Sequence, residues 1–294
     1  MTDRVRYGLI TPIVSLLPGT PDWERDATPA DLAAIAGAAD SLGFEYLTCS
    51  EHVGIPLADV PLRGPRFYDP LATLSFLAAK TERIRLLSHV VVLPYHHPLA
   101  IAKRYGTLDR LSGGRLILGV GVGSLRPEFD LLGVDFEGRG PRYEEAIVAL
   151  RAALGKREPA FQGEHHRFSG FVIDPCALQD RVPIWFGGRS PRSLRRAITY
   201  GDGWAPFGLG TDAIAVLLDE AKQTREWAER TAPFDVALAV EVPVDDAGRD
   251  ACVERIRAAQ GAGATIASLT VRARSAAHYV EQLRWLVETA APRP

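Results

Sequence analysis

Short apolar segments alternate with amphipathic segments along nearly the whole chain. Eight of the apolar segments have the length of strands, and segments with the spacing of helices follow them. Strands that alternate with helices pair in parallel through right-handed crossovers, and eight such units close into a barrel. The pattern therefore predicts one α/β domain over residues 1–294, folded as a (β/α)8 TIM barrel. The predicted strands cover residues 5–10, 44–49, 84–93, 115–122, 183–188, 203–207, 236–242 and 267–273.

Capping residues mark the ends of the predicted helices. Thr28 is suited to an N-cap and Pro29 to the first helical position, and Gly43 stands where a C-cap glycine belongs. A second helix starts at Pro98 and ends before Gly113. Further helices are predicted over residues 141–153, 190–200, 211–229, 250–261 and 276–290.

Charge and cysteine content narrow the classes of function. The formal net charge is −2 and no block of basic residues is present, so the sequence favours neither nucleic acid nor a membrane as a partner. There is no signal-like N-terminal segment and no apolar run long enough for a bilayer, which predicts a cytoplasmic protein. Cys49, Cys176 and Cys252 are odd in number and far apart, which predicts reduced, structural cysteines.

Two connections are much longer than the others. Residues 51–70 follow a strand, so in a barrel they lie on the face that carries catalytic residues. Residues 155–182 have room for a small hairpin. We expect both connections to be functional loops.

The glycine-rich segment Gly119–Ser124 follows an apolar run and poses the question of a dinucleotide-binding turn. The fingerprint G-x-G-x-x-G fails in both registers, because its third glycine is replaced by serine in one and by Arg126 in the other. Pro127 also argues against a helix that begins at the glycines. Gly121 and Gly123 instead suggest a strand end that a flat group can approach closely, with crowded barrel packing as the alternative.

The segment IWFGGRSPRSL reads as a strand, a tight turn and a helix. Backbone amides and the start of a helix favour an anion, and an arginine adds a charged donor, so the turn is a candidate phosphate cradle. A helix start with Ser190 as N-cap and Pro191 in the first turn is the structural alternative, and the two are compatible. The predicted cradle consists of Gly187, Gly188, Arg189 and Ser190, and we assign Trp185 of the preceding strand to the same cofactor site.

A long ordered pattern, LPYHHPLAIAKRYGTLDRLSGGRLILGVGVGSLRPEFDLLGVDFEGRGPRYEE, resembles the central signature of the luciferase-like monooxygenase superfamily. It is especially similar to the branch that uses the deazaflavin coenzyme F420. DSLGFEYLTCSEHVGIP and PIWFGGRSPRSLRRAITYGDGW match flanking parts of the pattern. The resemblance implies a TIM barrel with an insertion after strand four, and a flavin or deazaflavin at the carboxyl ends of the strands.

The resemblance also implies roles for individual residues. It places a cis peptide bond that does not involve proline at Ser88–His89, behind the cofactor ring, although histidine in the second position departs from the family. It places an acid–histidine pair, Glu51 and His52, beside the ring as catalytic residues, with His52 as the proton-transfer group. The alternative for Glu51 is that it only orients a neighbouring residue. Ser124 falls where a residue can touch the ring or substrate, and where some relatives carry an acid.

Other polar residues have structural interpretations. His96–His97 and His165–His166 invite a metal site, but adjacent strand residues point to opposite faces and no carboxylate cluster accompanies them, so no metal is predicted. Arg126 and Glu128 are interpreted as a solvated loop pair. At positions that resemble the family, buried or interfacial ion pairs are predicted for Asp109, Arg110, Arg115, Arg142 and Glu145.

The favoured hypothesis is an F420-dependent oxidoreductase. A hydride would pass between the coenzyme and a carbonyl, enone, imine or alcohol carbon of a small-molecule substrate. The alternatives are an FMN-dependent monooxygenase on the same barrel and a non-catalytic flavin-binding barrel. The resemblance also implies a homodimer and a partner F420 or flavin reductase as options. The long tail of F420 needs a basic groove, for which the sequence offers Arg63, Arg66, Arg126, Arg189 and Arg192.

Overall fold

The computed structural model describes residues 5–290, and these residues form the predicted closed barrel of parallel strands with helices around it. All eight predicted strand positions are confirmed. The strands are β1 (Arg6–Leu9), β2 (Tyr46–Cys49), β3 (Arg85–Ser88), β4 (Val91–Val92), β5 (Leu116–Gly121), β6 (Phe161–Gln162), β7 (Arg167–Phe168), β8 (Ile184–Gly187), β9 (Gly203–Ala205), β10 (Asp235–Val242) and β11 (Ile266–Val271). β3 and β4 share the third barrel position, since both pair with β5, and β11 closes the barrel on β1.

The helices follow the predicted order. They are α1 (Trp23–Asp26), α2 (Pro29–Ser41), α3 (Val60–Arg63), α4 (Pro70–Ala78), α5 (Pro98–Leu111), α6 (Arg126–Leu132), α7 (Arg139–Ala153), α8 (Pro191–Tyr200), α9 (Thr211–Lys222), α10 (Arg225–Ala228), α11 (Arg249–Gly261) and α12 (Ala276–Trp285). Thr28 caps α2 as predicted, in a reciprocal box with Asp31. The single helix predicted over 211–229 is wrong, because the chain breaks before α10 and Thr224 caps the second piece.

One layer of large side chains fills the inside of the barrel. Tyr46 and Trp185 meet edge to face with ring centroids 5.5 Å apart, and both are buried. Gly8 makes room for this layer, since a Cβ there would lie 2.1 Å from the Tyr46 ring. Trp185, which the sequence assigned to the cofactor site, therefore has a packing role at the level below the barrel opening.

The carboxyl end of the barrel is open above this layer. Alternate residues of β10 point inward, and Ala237 is buried in the layer whereas Ala239 and Glu241 are exposed. Thr270 of the neighbouring strand β11 and Ile10, directly after β1, are partly exposed. We call this opening, lined by Ile10, Ala239, Glu241 and Thr270, the barrel mouth.

The third barrel position breaks between β3 and β4. The resemblance placed a cis peptide bond at Ser88–His89, and this is wrong by one residue, since the bond lies between His89 and Val90. The Ser88 hydroxyl donates to the Gly119 carbonyl and accepts the Gly119 N–H, both at 3.0 Å. Ser88 is thereby tied into the sheet, and the chain departs from the sheet only after it. Its buried side chain contacts the Gly119 backbone, and contact of Ser88 with a cofactor stays a prediction.

The glycines of β5 are explained by packing. A Cβ at Gly119 would lie 1.8 Å from the Ser88 carbonyl oxygen, and one at Gly121 would lie 2.5 Å from the Val90 side chain. Gly123 has φ +75°, a conformation that L side chains rarely adopt. Crowding by the protein's own atoms thus accounts for the three glycines. Contact of a cofactor ring with Gly121 and Gly123 stays a prediction.

The insertion after the fourth barrel position contains the predicted hairpin. β6 and β7 pair in antiparallel fashion between α7 and β8. The Glu145 carboxylate holds the turn of this hairpin by accepting the N–H groups of residues 164–166 at 2.8, 2.8 and 2.6 Å. Glu145 therefore caps a loop and does not form the ion pair predicted for it.

Most of the other predicted ion pairs are also wrong, because the charged groups bind backbone atoms. Asp109 accepts N–H groups of residues 178 and 179 at 2.8 and 2.9 Å. Arg115 donates to four backbone carbonyls and a threonine hydroxyl. Arg110 is exposed. Arg142 does have a carboxylate partner, Asp135, at 3.6 Å.

The three cysteines are free thiols. Burial raises the pKa of Cys49 to about 12, which makes it a poor nucleophile near neutral pH. Over residues 5–290, the helices are too short or too polar to cross a bilayer.

Candidate active site

Two loops are joined above the barrel mouth. Residues 10–22 follow β1 and residues 51–70 follow β2. The Leu16 N–H donates to the Arg66 carbonyl at 3.1 Å. The Arg66 guanidinium donates to two carbonyls of α1 at 2.9 and 2.8 Å. These bonds hold Arg66 against α1, so its guanidinium is not used for a coenzyme tail. The joined loops give the mouth a wall on the side of β1 and β2.

A first histidine–carboxylate pair links the 51–70 loop to α6. His52 Nδ1 lies 2.9 Å from Glu128 Oε2, and the Tyr95 hydroxyl donates to the same oxygen at 3.3 Å. Glu128 Oε1 accepts the Val53 and Gly54 N–H groups at 2.7 and 3.4 Å. The Glu128 side chain is 2% exposed and that of His52 is 24% exposed. An accessible imidazole is therefore anchored on a buried carboxylate.

The environment of Glu128 keeps it ionised. Burial alone would raise its pKa, but the hydrogen bond and charge of His52 and the N–H groups of Val53 and Gly54 outweigh that effect and lower the pKa. The Phe67 ring packs against the His52 ring, with centroids 4.4 Å apart and an interplanar angle of 59°.

A second pair links the end of β2 to the third barrel position. Glu51 Oε1 lies 2.7 Å from His96 Nε2, and Glu51 Oε2 accepts the Val92 N–H at 2.6 Å. Glu51 and His52 therefore do not bind each other, and the catalytic roles predicted for them beside a cofactor ring stay predictions. The two residues are adjacent in the chain, but each side chain binds a different partner, and Glu51 orients His96.

Sequence reasoning missed Glu128. The sequence pairs it with Arg126, but in the structure Arg126 pairs with Glu137, and the Glu128 side chain is buried. Glu128 and Phe129 together form the buried face of the first turns of α6. The sequence does contain a signal for Glu128, because this acidic residue stands beside the aromatic Phe129, shortly after the glycine-rich end of β5.

His89 lies at the break in the third barrel position. Its carbonyl accepts the Ser50 hydroxyl at 2.8 Å, and burial lowers the pKa of its ring to about 4. The imidazole is therefore neutral near pH 7. The next side chain, Val90, packs into the spaces that Gly121 and Gly187 leave by lacking a Cβ.

The predicted phosphate cradle is a capped helix start. The Ser190 hydroxyl accepts the Ser193 N–H at 3.2 Å, and the Ser193 hydroxyl accepts the Ser190 N–H at 3.1 Å. Gly188 has φ +106°, and a Cβ there would lie 2.9 Å from that of Ser193. Arg189 is exposed, with its guanidinium 5.9 Å from the Phe207 ring centroid. The capping alternative is thus confirmed, while anion binding at this turn stays a prediction.

The remaining candidates are spread over the surface. Ser124 is exposed in the loop after β5. His97 Nδ1 accepts the Leu99 N–H at 3.2 Å as the N-cap of α5, and its ring meets His166 edge to face at 5.6 Å. Among the described residues, no three or more histidine, cysteine, aspartate or glutamate side chains are grouped as metal ligands.

The predicted basic groove is only partly available. Arg63 pairs with Asp59 at 3.7 Å, and Arg126 pairs with Glu137. Arg189 and Arg192 are exposed near the start of α8.

Comparisons with known proteins agree with this architecture. A protein of uncharacterized function from Mycobacterium tuberculosis is 30% identical over 214 residues, which is 69% of this chain and 74% of that protein. An F420-dependent secondary alcohol dehydrogenase, solved with an F420–acetone adduct, superposes with a TM-score of 0.77 at 14% identity and covers 99% of this chain and 100% of its own. A type II Baeyer–Villiger monooxygenase from Pseudomonas putida, solved with FMN, superposes with a TM-score of 0.74 at 18% identity and covers 99% and 98%.

The two solved structures share the fold and differ in the coenzyme that they hold. The profile described as luciferase-like monooxygenase matches residues 8–292, which is almost the whole sequence. The chain is a member of the luciferase-like monooxygenase family.

Proposed function

We propose that the chain is an oxidoreductase that binds coenzyme F420 at the barrel mouth and acts on a small organic substrate with a carbonyl, enone, imine or alcohol group. The observation that carries the proposal is the accessible imidazole of His52, held by a buried carboxylate at the carboxyl end of an open barrel. When bound, the deazaflavin supplies a carbon that gives or takes a hydride. The protein has to place the reactants, exclude water and exchange a proton.

His52 is the residue we assign to proton exchange. Reduction of a carbonyl leaves negative charge on its oxygen, which a nearby acid must neutralise, and oxidation of an alcohol needs the reverse transfer. An imidazole performs both near neutral pH. The packing of Phe67 and the contact with Glu128 both restrain the ring of His52. Glu51 contributes by orienting His96 and the β4 backbone.

The residues present fit a coenzyme with an anionic tail. The mouth above Tyr46 and Trp185 is open, and the turn Gly187–Ser190 precedes the ten-residue helix α8. The start of a helix favours an anion, and the exposed Arg189 adds a charged donor. FMN places the same demands on this turn, so binding measurements have to separate the two coenzymes.

The first experiment titrates the protein with F420 and with FMN and follows the fluorescence of each coenzyme. We expect saturable binding of F420 and weaker binding of FMN. Arg189→Ala should raise the Kd of F420 about 10- to 100-fold, the value of one charge-assisted hydrogen bond. Arg195→Ala, an exposed arginine further along α8, is the matched control and should leave Kd unchanged. Preferential binding of FMN would support the monooxygenase, and binding of neither would refute a coenzyme site.

The second experiment measures turnover of a panel of ketones and enones with reduced F420. Oxidation of the coenzyme that depends on one of these substrates supports the proposed reaction. Tight binding without turnover of any substrate, in either direction, would support the binding barrel instead.

A further inference from the structure

Four polar groups lie within hydrogen-bond distance of the Glu128 carboxylate, and their arrangement fixes more than the position of His52. Two donors are the backbone N–H groups of Val53 and Gly54, which bind Oε1 at 2.7 and 3.4 Å. The other two contacts are the Tyr95 hydroxyl and His52 Nδ1, which lie 3.3 and 2.9 Å from Oε2. An ionised carboxylate only accepts hydrogen bonds, so the ring nitrogen that meets it must carry a hydrogen.

We propose that Glu128 is a positioning residue that holds the neutral His52 ring in the Nδ1–H tautomer and so leaves Nε2 as the nitrogen that accepts a proton or hydrogen bond from a ligand in the mouth. The assignment deepens the proposed function and rests on it for the role of Nε2. The tautomer itself follows from the four contacts together with the ionised state of Glu128. Phe67 packs on the ring at 4.4 Å, which opposes a flip that would exchange the two nitrogens.

The geometry makes a specific prediction for Glu128→Gln. A glutamine has one accepting oxygen and one donating NH2 group. The backbone N–H groups of Val53 and Gly54 can only donate, so they select the amide oxygen and turn the NH2 group toward His52. Nδ1 must then accept, and the hydrogen moves to Nε2. The substitution should therefore invert the tautomer of His52 with almost no change in side-chain shape.

Glu51 provides a matched control, because it has the same arrangement of one oxygen at a backbone N–H and the other at a histidine ring. The Val92 N–H binds one oxygen of Glu51 and His96 Nε2 lies at the other. Glu51→Gln should therefore move the hydrogen of His96 from Nε2 to Nδ1 and leave the His52 tautomer unchanged. The two variants predict opposite changes in two different rings.

The tautomers are read by nitrogen NMR of the protein labelled with 15N-histidine. His52→Ala and His96→Ala assign the two rings, and the pH is raised until their signals stop moving, which leaves neutral rings. In the wild type, His52 should show a protonated Nδ1 and an unprotonated Nε2. In Glu128→Gln the two nitrogens should exchange character, while in Glu51→Gln they should not. A wild-type His52 with its hydrogen on Nε2, or an unchanged tautomer in Glu128→Gln, overturns the inference.

Turnover with reduced F420 separates this inference from the proposed function. A positioned acid–base group contributes about 10²- to 10⁴-fold to the rate. If the tautomer inverts and kcat/KM falls by about this factor, the tautomer inference and the catalytic role of His52 are both supported. If the tautomer inverts and kcat/KM stays the same, Glu128 keeps its role toward the ring and His52 loses its role in catalysis. F420 affinity, measured in parallel, should be unchanged in Glu128→Gln, because the substitution alters one proton position and no contact with the coenzyme tail.

Discussion

Two histidine–carboxylate pairs lie at the carboxyl end of the barrel, and the carboxylate contacts a different ring nitrogen in each pair. Glu128 meets His52 at Nδ1, whereas Glu51 meets His96 at Nε2. Glu128 gathers donors from the 51–70 loop and from Tyr95. Glu51 instead ties the end of β2 to β4 in the next barrel position.

The two pairs differ in what they hold in place. The first positions a residue of the candidate site, and the second joins neighbouring strands of the barrel. Glu128 is contributed by a helix and binds residues some 75 positions away in sequence, so it fixes loops relative to each other. Glu51 lies two residues after the end of β2, and its bond to Val92 fixes that end against β4. Both carboxylates hold a histidine, but only the first histidine belongs to a long loop at the mouth. We therefore expect chemistry to depend on His52 and barrel geometry to depend on Glu51.

The largest effect is expected for His52→Ala, which should lower kcat/KM about 10²- to 10⁴-fold because the proton-exchanging group is lost. His96→Ala should lower it by less than about tenfold. Both values come from steady-state oxidation of reduced F420 with the best substrate of the panel. F420 titration is the control, and its Kd should not change in either variant. An equal loss in His96→Ala would remove the distinction between the two pairs.

The next effect concerns stability. Glu128→Ala should lower the free energy of unfolding by about 3 kcal/mol and Glu51→Ala by about 1.5 kcal/mol, since buried donors lose a charged acceptor in both cases. Glu128 has the larger value because it is more buried and makes four hydrogen-bond contacts. Urea unfolding followed by circular dichroism gives the two values. The reverse order would mean that Glu51 is the main tie between the loops and the barrel.

The barrel was predictable from the sequence, because periodicity and capping act locally. The eight strand positions, the cap of α2 at Thr28 and the hairpin after α7 all follow from patterns within a few residues. The position of the break in the third strand was not predictable to the residue. Whether Ser88 stays in the sheet depends on its bonds to Gly119, a residue of another strand.

The candidate site was predictable only in part, for the same physical reason. His52 could be proposed from its place after a strand, but its partner Glu128 depends on how α6 meets a distant loop. The β5 glycines are a case in which the sequence pattern is clear but its physical cause is not local. Their spacing suggested room for a ring, while the atoms that fill the space belong to Ser88 and Val90, and no local pattern contains that information.

A pH series sharpens the stability comparison. The pKa of Glu128 is lowered in the folded protein, so its contribution to stability is complete above the ordinary glutamate pKa of about 4.3 and is lost as the pH falls through the lowered value. The wild type should therefore be more stable than Glu128→Gln near pH 6, and the difference should shrink on acidification. Urea unfolding at several pH values measures it. Glu158→Gln, at a glutamate side chain that is 75% exposed, should show little difference from the wild type throughout. A difference that grows on acidification would contradict an ionised, hydrogen-bonded Glu128.

The smallest effect is expected for Tyr95→Phe, which removes one of the four donors to Glu128. Burial, and then the charge of Glu128, raise the pKa of Tyr95, so its hydroxyl is a hydrogen-bond donor throughout the neutral range. The bond is 3.3 Å long, and its loss should lower the free energy of unfolding by no more than about 1 kcal/mol. Tyr143→Phe is the matched control, since the Tyr143 hydroxyl donates to the Val120 carbonyl, also at 3.3 Å. The two variants should lose similar stability, but only Tyr95→Phe should shift the 15N signals of His52, without inverting its tautomer. An equal shift in both would mean that His52 responds to general loosening of the barrel and not to the donors around Glu128.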